Sequence, residues 1–328
     1  MKTAAPPTIR VRAHAKINLS LRVLARREDG YHDLRTVFQA LALHDTLTLV
    51  TRPGPFALQS SDARLPADST NLVWRAAELL WRHLRRDGPP RDLAVRLDKR
   101  IPMKAGLGGG SADAAAALVG LARLWDPRVA PADLAALGSQ LGADVPFFFT
   151  GGAALGLGRG DEIYPLADLP PLGVLLVVPP FDVSTADAYR WLDEEGRVGQ
   201  GGQVSPEGPG VPANQSRTIP ACSWPFPASE IANDFERAVV ARHPQIAEIV
   251  RALSAAGAVA AMTGSGSTVF GLSEKDGALA RAARSPACSG CSTVRTRTLS
   301  RREYLRACTP QAGAPGRRAG LSANGRVV

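Results

Sequence analysis

A cluster of glycines before an alanine-rich stretch constrains this chain more than any other feature of its sequence. In KRIPMKAGLGGGSADAAAAL, residues 99–118, four glycines lie within five residues. Glycine adds backbone entropy to the cost of folding, so a cluster is expected where the chain needs positive φ or close approach to a ligand. A glycine loop that enters a helix directs several N–H groups and the positive end of the helix dipole at one point. The segment therefore predicts a phosphate-binding loop and a helix, with a flexible interdomain turn as the alternative.

Two common nucleotide-binding motifs do not fit this loop. The Walker motif places Lys directly before Ser or Thr, whereas Lys104 precedes the glycines. A dinucleotide fingerprint needs an acidic residue about twenty positions further on, at the end of a parallel strand, and none is found. Ser111 is a candidate for the helix cap, and its hydroxyl is also suited to phosphate or magnesium.

The composition indicates a globular protein without a membrane span. The chain has 328 residues, of which 45% are hydrophobic, enough for a large core in one or two domains. It contains no run of about eighteen apolar residues, and its polar N-terminus does not resemble a signal peptide. The four cysteines favour a reducing compartment, and the lone Cys288-x-x-Cys291 pair lacks the further ligands of a zinc site. We expect a soluble cytoplasmic protein and assign no metal-ligating side chains.

The positive charge is concentrated in the C-terminal part of the chain. The net charge is +9, and residues 275–328 hold eleven Lys or Arg against two acidic residues, so the rest of the chain is neutral. A neutral body argues against nucleic-acid binding, which needs Lys and Arg clustered on a folded surface. The composition predicts an irregular insertion at residues 196–227 and a disordered basic tail at residues 306–328.

Apolar periodicity predicts an α+β architecture. An Asp29-Gly30 turn is expected to join two antiparallel strands, and helical spacing begins after Ser69 or Thr70, the candidates for its N-cap. A domain boundary is expected near residues 165–171. The first strand shows period-two spacing that predicts one shared face for Ile9, Val11, Ile17, Leu19, Leu21 and Val23.

Three motifs in order along the chain resemble the GHMP kinase superfamily. They are AKINLSLRV near the start, PMKAGLGGGSADAAAAL in the middle and TGSGSTVF near the end. The stretches DGYH and GADVPFF resemble the branch of that superfamily whose substrate carries a cytidine diphosphate. The resemblance implies a two-domain fold. Residues 1–166 would form an ATP-binding N-terminal domain similar to a domain of ribosomal proteins, and residues 167–305 a C-terminal α/β sandwich domain.

The resemblance assigns the reaction to one lysine and one aspartate. Phosphoryl transfer needs an oriented hydroxyl, a group that accepts its proton, and positive charge near the transferred group. The matching residues of AKIN and GADVPF are Lys16 and Asp144. Asp144 would be the base, and Lys16 would keep it ionised and polarise the acceptor oxygen. The VPFFF run predicts that Asp144 lies beside a buried strand, where desolvation makes a lysine partner useful.

The resemblance also implies ATP and Mg²⁺ as cofactors and two groups of binding residues. Tyr31 would stack on the cytosine ring and His32 would hydrogen-bond its edge, chemistry that both side chains can provide. The expected ATP-binding residues are Asn71, on the adenine side, with Pro102, Met103, Lys104, Ala105, Gly106, Leu107, Gly108, Gly109, Gly110, Ser111 and Ala112. The expected substrate-binding residues are Asn18, Tyr31, His32, Thr185 and Tyr189.

Two positions depart from the family pattern, which commonly has proline before Ala-Lys and a second serine after GLGGGS. The chain has His14, expected to be a strand residue, and Ala112, which removes one hydroxyl expected at the loop. The expected partner is a small cytidine diphosphate substrate rather than nucleic acid or a membrane, and the expected assembly is a monomer or weak homodimer. The alternatives are another GHMP kinase, of homoserine or mevalonate type, and an RNA-binding protein.

Overall fold

The computed structural model describes residues 7–195 and 231–312. The insertion predicted at residues 196–227 therefore lies outside the described residues, as do residues 313–328 of the predicted tail. None of the helices in the described part is long and apolar enough to cross a membrane.

A mixed sheet forms the first layer of the described chain. Its central path runs β11-β1-β2-β4-β3, and β5 pairs with both β2 and β6. The β3–β4 pair is parallel, and the other pairs are antiparallel. The strands are β1 (Thr8–Arg26), β2 (His32–Pro55), β3 (Ala57–Ser60), β4 (Arg91–Asp98), β5 (Ala153–Leu157), β6 (Glu162–Pro165) and β11 (Gln311–Ala312).

A second, antiparallel sheet has the strand order β10-β7-β9-β8. Its strands are β7 (Gly173–Val178), β8 (Val259–Met262), β9 (Val269–Ser273) and β10 (Ser292–Arg297). The helices of the described residues are α1 (Leu72–His83), α2 (Gly109–Trp125), α3 (Pro131–Leu141), α4 (Phe147–Thr150), α5 (Thr185–Glu194), α6 (Asp234–Val240), α7 (Gln245–Ala255), α8 (Asp276–Ala283) and α9 (Arg301–Cys308).

The predicted α+β class and most predicted elements are confirmed. The long hairpin β1–β2 closes at the Asp29-Gly30 turn, where Gly30 has φ +83°. The helix predicted after the glycine cluster is α2, and it ends before the Asp126-Pro127 pair. The helix predicted after Ser69 or Thr70 is also present, but its N-cap is Asn71, whose side chain accepts from the Val73 N–H.

Strand β1 does not keep one apolar face, which corrects the period-two prediction. Bulges interrupt its pairing with β2 between His14 and Lys16 and between Asn18 and Ser20. As a result Val11 packs in the core beneath α1 and α2, whereas Ile17 packs in the core shared with the second sheet. A bulge redirects every side chain that follows it, so a single strand serves several cores. Leu21, beyond the second bulge, belongs to a third core with residues of α5, α6 and α7.

Two further expectations about local structure were wrong. The residues after Asp144 form the short helix α4 rather than a buried strand, because the aromatic run packs one helical turn into the first core. The predicted tail is ordered at its start, since α9 and β11 cover residues 306–308 and 311–312. Tyr304 explains this order: it is buried, its hydroxyl donates to the Phe148 carbonyl, and its ring fills the space beside Gly151.

Candidate active site

The three motifs that carry the resemblance meet at the centre of β1. The backbone N–H of Lys16 donates to the Leu107 carbonyl of the glycine loop over 3.0 Å. The backbone N–H of Asn18 donates to the Thr263 hydroxyl, in the third motif, over 2.9 Å. Segments separated by more than two hundred residues are therefore held together by hydrogen bonds to one bulged strand.

Glycine is required where the second and third motifs touch. A Cβ on Gly106 would overlap the Thr263 carbonyl, and one on Gly264 would lie 3.0 Å from the Gly106 Cα. Both glycines also have positive φ, +72° and +59°. The close approach of these two loops thus depends on the absence of side chains at both positions.

Lys16 and Asp144, the predicted catalytic pair, lie next to each other. The Lys16 Nζ is 3.4 Å from the Asp144 Oδ2 and donates to the Asn18 Oδ1 over 2.7 Å. Lys16 is buried, while the Asp144 side chain is 37% exposed. The expectation that Asp144 is desolvated is therefore wrong: one side of its carboxylate faces solvent, where an acceptor molecule can reach it.

Asn18 connects this pair to a buried polar network. Its Nδ2 donates to the Thr36 hydroxyl over 2.7 Å, and that hydroxyl donates to the Ser20 carbonyl over 2.8 Å. With Oδ1 accepting from Lys16, the Asn18 amide is fixed from both ends. Asn18 therefore orients the Lys16 ammonium, and the structure supports no direct polar contact of its side chain with a ligand.

The glycine loop enters α2 in the arrangement expected of an anion site. Gly108 is the N-cap residue with φ +69°, and no side chain caps the helix. Ser111 is the third helical residue, so its prediction as the cap is wrong, and its hydroxyl makes no hydrogen bond to another residue that the structure describes. A Cβ at Gly108 would lie 2.9 Å from the Lys16 Cγ, so the loop packs directly on the lysine.

Several predicted ATP-binding residues turn their side chains away from the loop surface. Ala105, Leu107 and Ala112 are buried in the cores, so these positions offer only backbone groups to a ligand. The hydroxyl missing at Ala112 would therefore point into the protein. Lys104 is exposed, with φ +52°, and its Nζ lies 3.8 Å from the Asp182 carboxylate. The other residues at the surface of this loop are Pro102, Met103, Gly106, Gly108, Gly109, Gly110 and Ser111.

Asn71 has a local structural role that sequence did not predict. Its Oδ1 accepts from the Val73 N–H over 2.9 Å and its Nδ2 donates to the Pro66 carbonyl over 2.8 Å. This buried side chain caps α1 and fixes the preceding turn. The geometry gives no support for a polar contact between Asn71 and adenine.

Of the residues predicted to bind the base, His32 and Tyr189 contact each other, whereas Tyr31 lies apart from them. His32 stacks on Tyr189 with ring centroids 4.6 Å apart and an 11° interplanar angle. Tyr31 is 56% exposed and lies against the Arg159 guanidinium, apart from that stack. Burial, with the nearby charges of Asp144 and Asp193, raises the pKa of Tyr189 to about 12, so its hydroxyl stays protonated at neutral pH.

Helix α5 places three side chains with partners in other parts of the site at four-residue intervals. Thr185 contacts the Ser265 hydroxyl over 3.2 Å, Tyr189 stacks on His32, and Asp193 Oδ1 lies 3.2 Å from the His32 Nε2. Residues at i, i+4 and i+8 share one helical face. Sequence reasoning missed Asp193, although this spacing from Thr185 and Tyr189 could have identified it.

Sequence reasoning also missed two side chains that hold the loops around the site in place. Asn233, in the NDFE stretch, donates through Nδ2 to the carbonyls of Met262 and Gly264 and so holds the third motif in place. Lys99, at the start of the loop segment, forms ion pairs with Asp45 and Asp113 behind the glycines. Only an acidic residue near the start of α2 and a lysine before the loop signalled this cluster. The sequence did not show that they meet.

Comparisons with known proteins identify the family of the chain. Profiles of the GHMP kinases match in two places: the N-terminal domain at residues 71–152 and the C-terminal domain at residues 227–290. The chain is 42% identical to 4-diphosphocytidyl-2-C-methyl-D-erythritol kinase of Solibacter usitatus over 90% of both chains. It is 46% identical to the enzyme of that name from Pelotomaculum thermopropionicum, over 79% of this chain and 87% of the relative.

Solved structures show the same fold. The crystal structure of a 4-(cytidine 5'-diphospho)-2C-methyl-D-erythritol kinase, 33% identical, superposes with a TM-score of 0.69 over 88% of this chain and 98% of that one. A homoserine kinase from Cytophaga hutchinsonii superposes with a TM-score of 0.63 over 95% and 99% of the two chains, but at 19% identity it shows the fold alone. With its relatives matched over most of their length, the chain belongs to the 4-diphosphocytidyl-2-C-methyl-D-erythritol kinase family of the GHMP kinases.

Proposed function

We propose that the protein transfers the γ-phosphoryl group of ATP to the 2-hydroxyl of 4-diphosphocytidyl-2-C-methyl-D-erythritol, a step in the formation of isoprenoid precursors. The observation that carries this proposal is the Lys16–Asp144 pair, 3.4 Å apart, beside the loop that packs on Lys16 through Gly108. A proton acceptor, a positive charge and a candidate phosphate cradle thus adjoin one another. The names of the relatives and the DGYH and GADVPFF stretches support the cytidyl substrate.

The partly exposed Asp144 acts as the base. Its carboxylate accepts the proton of the acceptor hydroxyl, the hydroxyl oxygen forms a bond to the γ-phosphorus, and the bond from that phosphorus to ADP breaks. Lys16 stabilises the ionised Asp144 and the negative charge that develops on the phosphoryl oxygens. Asn18 holds the Lys16 ammonium toward this space through its 2.7 Å hydrogen bond.

The triphosphate binds at the open N-terminus of α2. The N–H groups of the first helical turn and the helix dipole favour negative charge there, and the glycines allow close approach. Mg²⁺ fits this site as an ion carried by the phosphates, because it prefers a few oxygen ligands and retains several waters. The unbonded Ser111 hydroxyl would hold it. When bound, Mg²⁺ neutralises phosphate charge as the phosphoryl group is transferred.

Measuring ATP consumption tests both the reaction and its base. We expect ADP release that depends on 4-diphosphocytidyl-2-C-methyl-D-erythritol and Mg²⁺, and an Asp144→Asn variant that loses about 10³-fold in kcat. Asp133→Asn is the matched control, because Asp133 is an exposed aspartate in the first turn of α3. Activity with homoserine or a mevalonate derivative but not with the cytidyl substrate would overturn the assignment while keeping the kinase fold.

We further propose that the protein acts in the cytoplasm as a monomer or weak homodimer and binds no nucleic acid. The neutral charge of residues 1–274 supports the last point. The division into domains at residues 1–166 and 167–305 also stays a prediction. Sedimentation of the purified protein across a concentration series tests the assembly: we expect a monomer at low concentration and at most a dimer that appears as the concentration rises, and a stable larger assembly at every concentration would contradict the proposal.

A further inference from the structure

We propose that Asp193 determines the choice of pyrimidine by fixing the hydrogen-bonding face of His32. This inference rests on the proposed function, because it assigns a specificity role within the base-binding corner. It starts from one contact: the Asp193 Oδ1 lies 3.2 Å from the His32 Nε2. Asp193 itself need not touch the substrate, so it is a positioning residue.

The histidine is held from two sides. Its side chain is 6% exposed, its ring stacks on Tyr189, and Asp193, at 32% exposure, approaches the Nε2 edge from the last turn of α5. Tyr189 is in turn packed edge-on against Phe235, with ring centroids 4.8 Å apart. The imidazole therefore cannot rotate freely to exchange its two nitrogens.

The carboxylate selects one tautomer of the neutral ring. A neutral imidazole carries its single N–H on either nitrogen, and a carboxylate can only accept. Asp193 therefore places the hydrogen on Nε2 and leaves a lone pair on Nδ1. No residue in the described part of the chain hydrogen-bonds to Nδ1, so this nitrogen is available as an acceptor for a ligand.

An acceptor at this position distinguishes two pyrimidines that have almost the same shape. Cytosine presents an exocyclic amino group, which donates to Nδ1, whereas uracil presents a carbonyl oxygen at the same ring position. A lone pair facing a carbonyl gains no hydrogen bond and repels it, and a site built for a hydrogen bond rejects such an analogue strongly. The orientation of His32 by Asp193 would thus select a cytidine over a uridine diphosphate compound.

The tautomer can be measured without any substrate. In protein labelled with nitrogen-15 in its histidines, at about pH 8.5 and therefore above the ordinary imidazole pKa, NMR shifts separate protonated from unprotonated ring nitrogens. The chain has five histidines, and a His32→Gln variant identifies the signal of interest. We expect the Nε2–H form in the wild type and a mixed population in Asp193→Ala. A dominant Nδ1–H form in the wild type would overturn the inference.

Kinetics with the cytidine compound and its uridine counterpart test the consequence. We expect the wild type to prefer cytidine by about 10³-fold in kcat/KM. Asp193→Asn, whose amide can donate to Nε2 and so move the ring hydrogen to Nδ1, should reduce this preference at least about tenfold, and Asp193→Ala should reduce it less. Glu194→Gln is the control on the same helix, since Glu194 pairs with arginines and not with His32.

The two proposals fail in different ways. A wild type that is inactive on the cytidine compound contradicts the proposed function, and the NMR measurement still reports whether Asp193 orients the ring. A wild type that is active and selective, with a cytidine preference unchanged within about twofold in both Asp193 variants, contradicts only the role of Asp193. Equal losses of kcat/KM on both compounds would show a merely structural role and also overturn the inference.

Discussion

Two groups of lysine and aspartate lie against neighbouring glycines of the same loop, and they differ in access to water. Lys16 packs under Gly108 and faces Asp144, which is 37% exposed. On the other side, the Lys99 Nζ would lie 3.4 Å from a Cβ on Gly109, and it pairs with Asp45 and Asp113, whose side chains are 0% and 4% exposed. The same chemical groups are thus placed in an open and in a closed environment.

The closed group of Lys99, Asp45 and Asp113 fixes the position of the glycine-loop segment. Asp45 accepts from the Lys99 ammonium and from the backbone N–H groups of Arg100 and Ile101, which ties β2 to the start of the glycine-loop segment. Two carboxylates share one lysine there, and burial, reinforced by Asp45, raises the pKa of Asp113 well above its ordinary value despite Lys99. An open pair can exchange protons and partners with a ligand, whereas the groups of the closed cluster are buried and paired with one another.

Removing the lysine of the open pair should give the largest effect. We expect Lys16→Met to lower kcat by about 10⁴-fold, because both the stabilisation of the base and the charge on the phosphoryl group are lost. Stability should fall little, since water can solvate the exposed side of Asp144 and Met fills the apolar space beside Phe38. Phosphoryl transfer and thermal unfolding, measured together, check this; a variant that is inactive because it is unfolded would break the comparison.

The same substitution in the closed cluster should act on folding. Lys99→Met leaves two buried carboxylates without a positive partner, and breaking such a cluster costs about 3 to 5 kcal/mol of the free energy of unfolding. Urea unfolding measures this loss. The folded fraction should keep kcat within about threefold, because no step of the proposed reaction passes through Lys99. A kcat loss as large as that of Lys16→Met would place Lys99 in the catalytic machinery instead.

The parts of the fold and site that the sequence predicts are those marked by residues close together in the chain. Lys16 and Asp144 were assigned because AKIN and GADVPF resemble motifs of the GHMP kinases. The glycine loop, the helices and the hairpin follow from local residue patterns, periodicity and turn residues. The desolvated environment expected for Asp144 was wrong, because whether the following aromatic residues extend or coil depends on the core they pack against.

Other features depend on the tertiary fold and could not be predicted locally. The bulge of β1 between His14 and Lys16 turns Lys16 to the face of the sheet on which Val11 packs, beside Phe38, yet the bulge follows from the pairing of β1 with β2 and not from the alternation of β1 itself. The cluster of Asp45, Lys99 and Asp113 joins three elements whose neighbourhood no local pattern specifies. Asp193 could be predicted only in part. Its helical spacing from Tyr189 is visible in the sequence, but its partner His32 lies 161 residues away.

Substitutions of Gly108 and Gly109 test whether each glycine affects only the lysine that it contacts, Lys16 or Lys99. Gly108→Ala requires a non-glycine residue at φ +69° with its Cβ 2.9 Å from both the Lys16 Cγ and the Phe148 Cζ. We expect a loss of about 2 kcal/mol in stability and about 10²-fold in kcat, because Lys16 must move.

Gly109→Ala is the matched change on the closed side. Its Cβ would point at the Ile101 side chain, 3.1 Å away, and not at the ligand, and position 109 begins the helix. Stability should change by less than about 1 kcal/mol and kcat by less than about threefold. Equal losses of kcat in the two variants, in parallel assays, would mean that the loop responds as a single unit.

The smallest expected effect is on the pH dependence of the free energy of unfolding, which should differ between the wild type and Asp113→Asn because Asp113 is buried. Because the pKa of Asp113 is raised in the folded protein above its ordinary 3.8, the native state binds more protons than the unfolded state at pH values between those two pKa values. The free energy of unfolding therefore falls as pH rises through that window, by at most about 1.4 kcal/mol per pH unit for one proton. Asp113→Asn cannot titrate, so the advantage of the wild type over this variant should shrink as pH rises.

Comparing the wild type with Asp113→Asn removes the contribution of His14 to the pH dependence of stability, which has the opposite sign and is present in both proteins. Burial, together with the charge of His44, lowers the pKa of His14 from 6.5 to about 4, so the unfolded state binds more protons between these values and stability rises with pH there. Urea unfolding of wild type and Asp113→Asn at several pH values from about 4 upward cancels this rise in the difference. A difference independent of pH would mean that Asp113 keeps an ordinary pKa, and the closed cluster would then share the open pair's access to water.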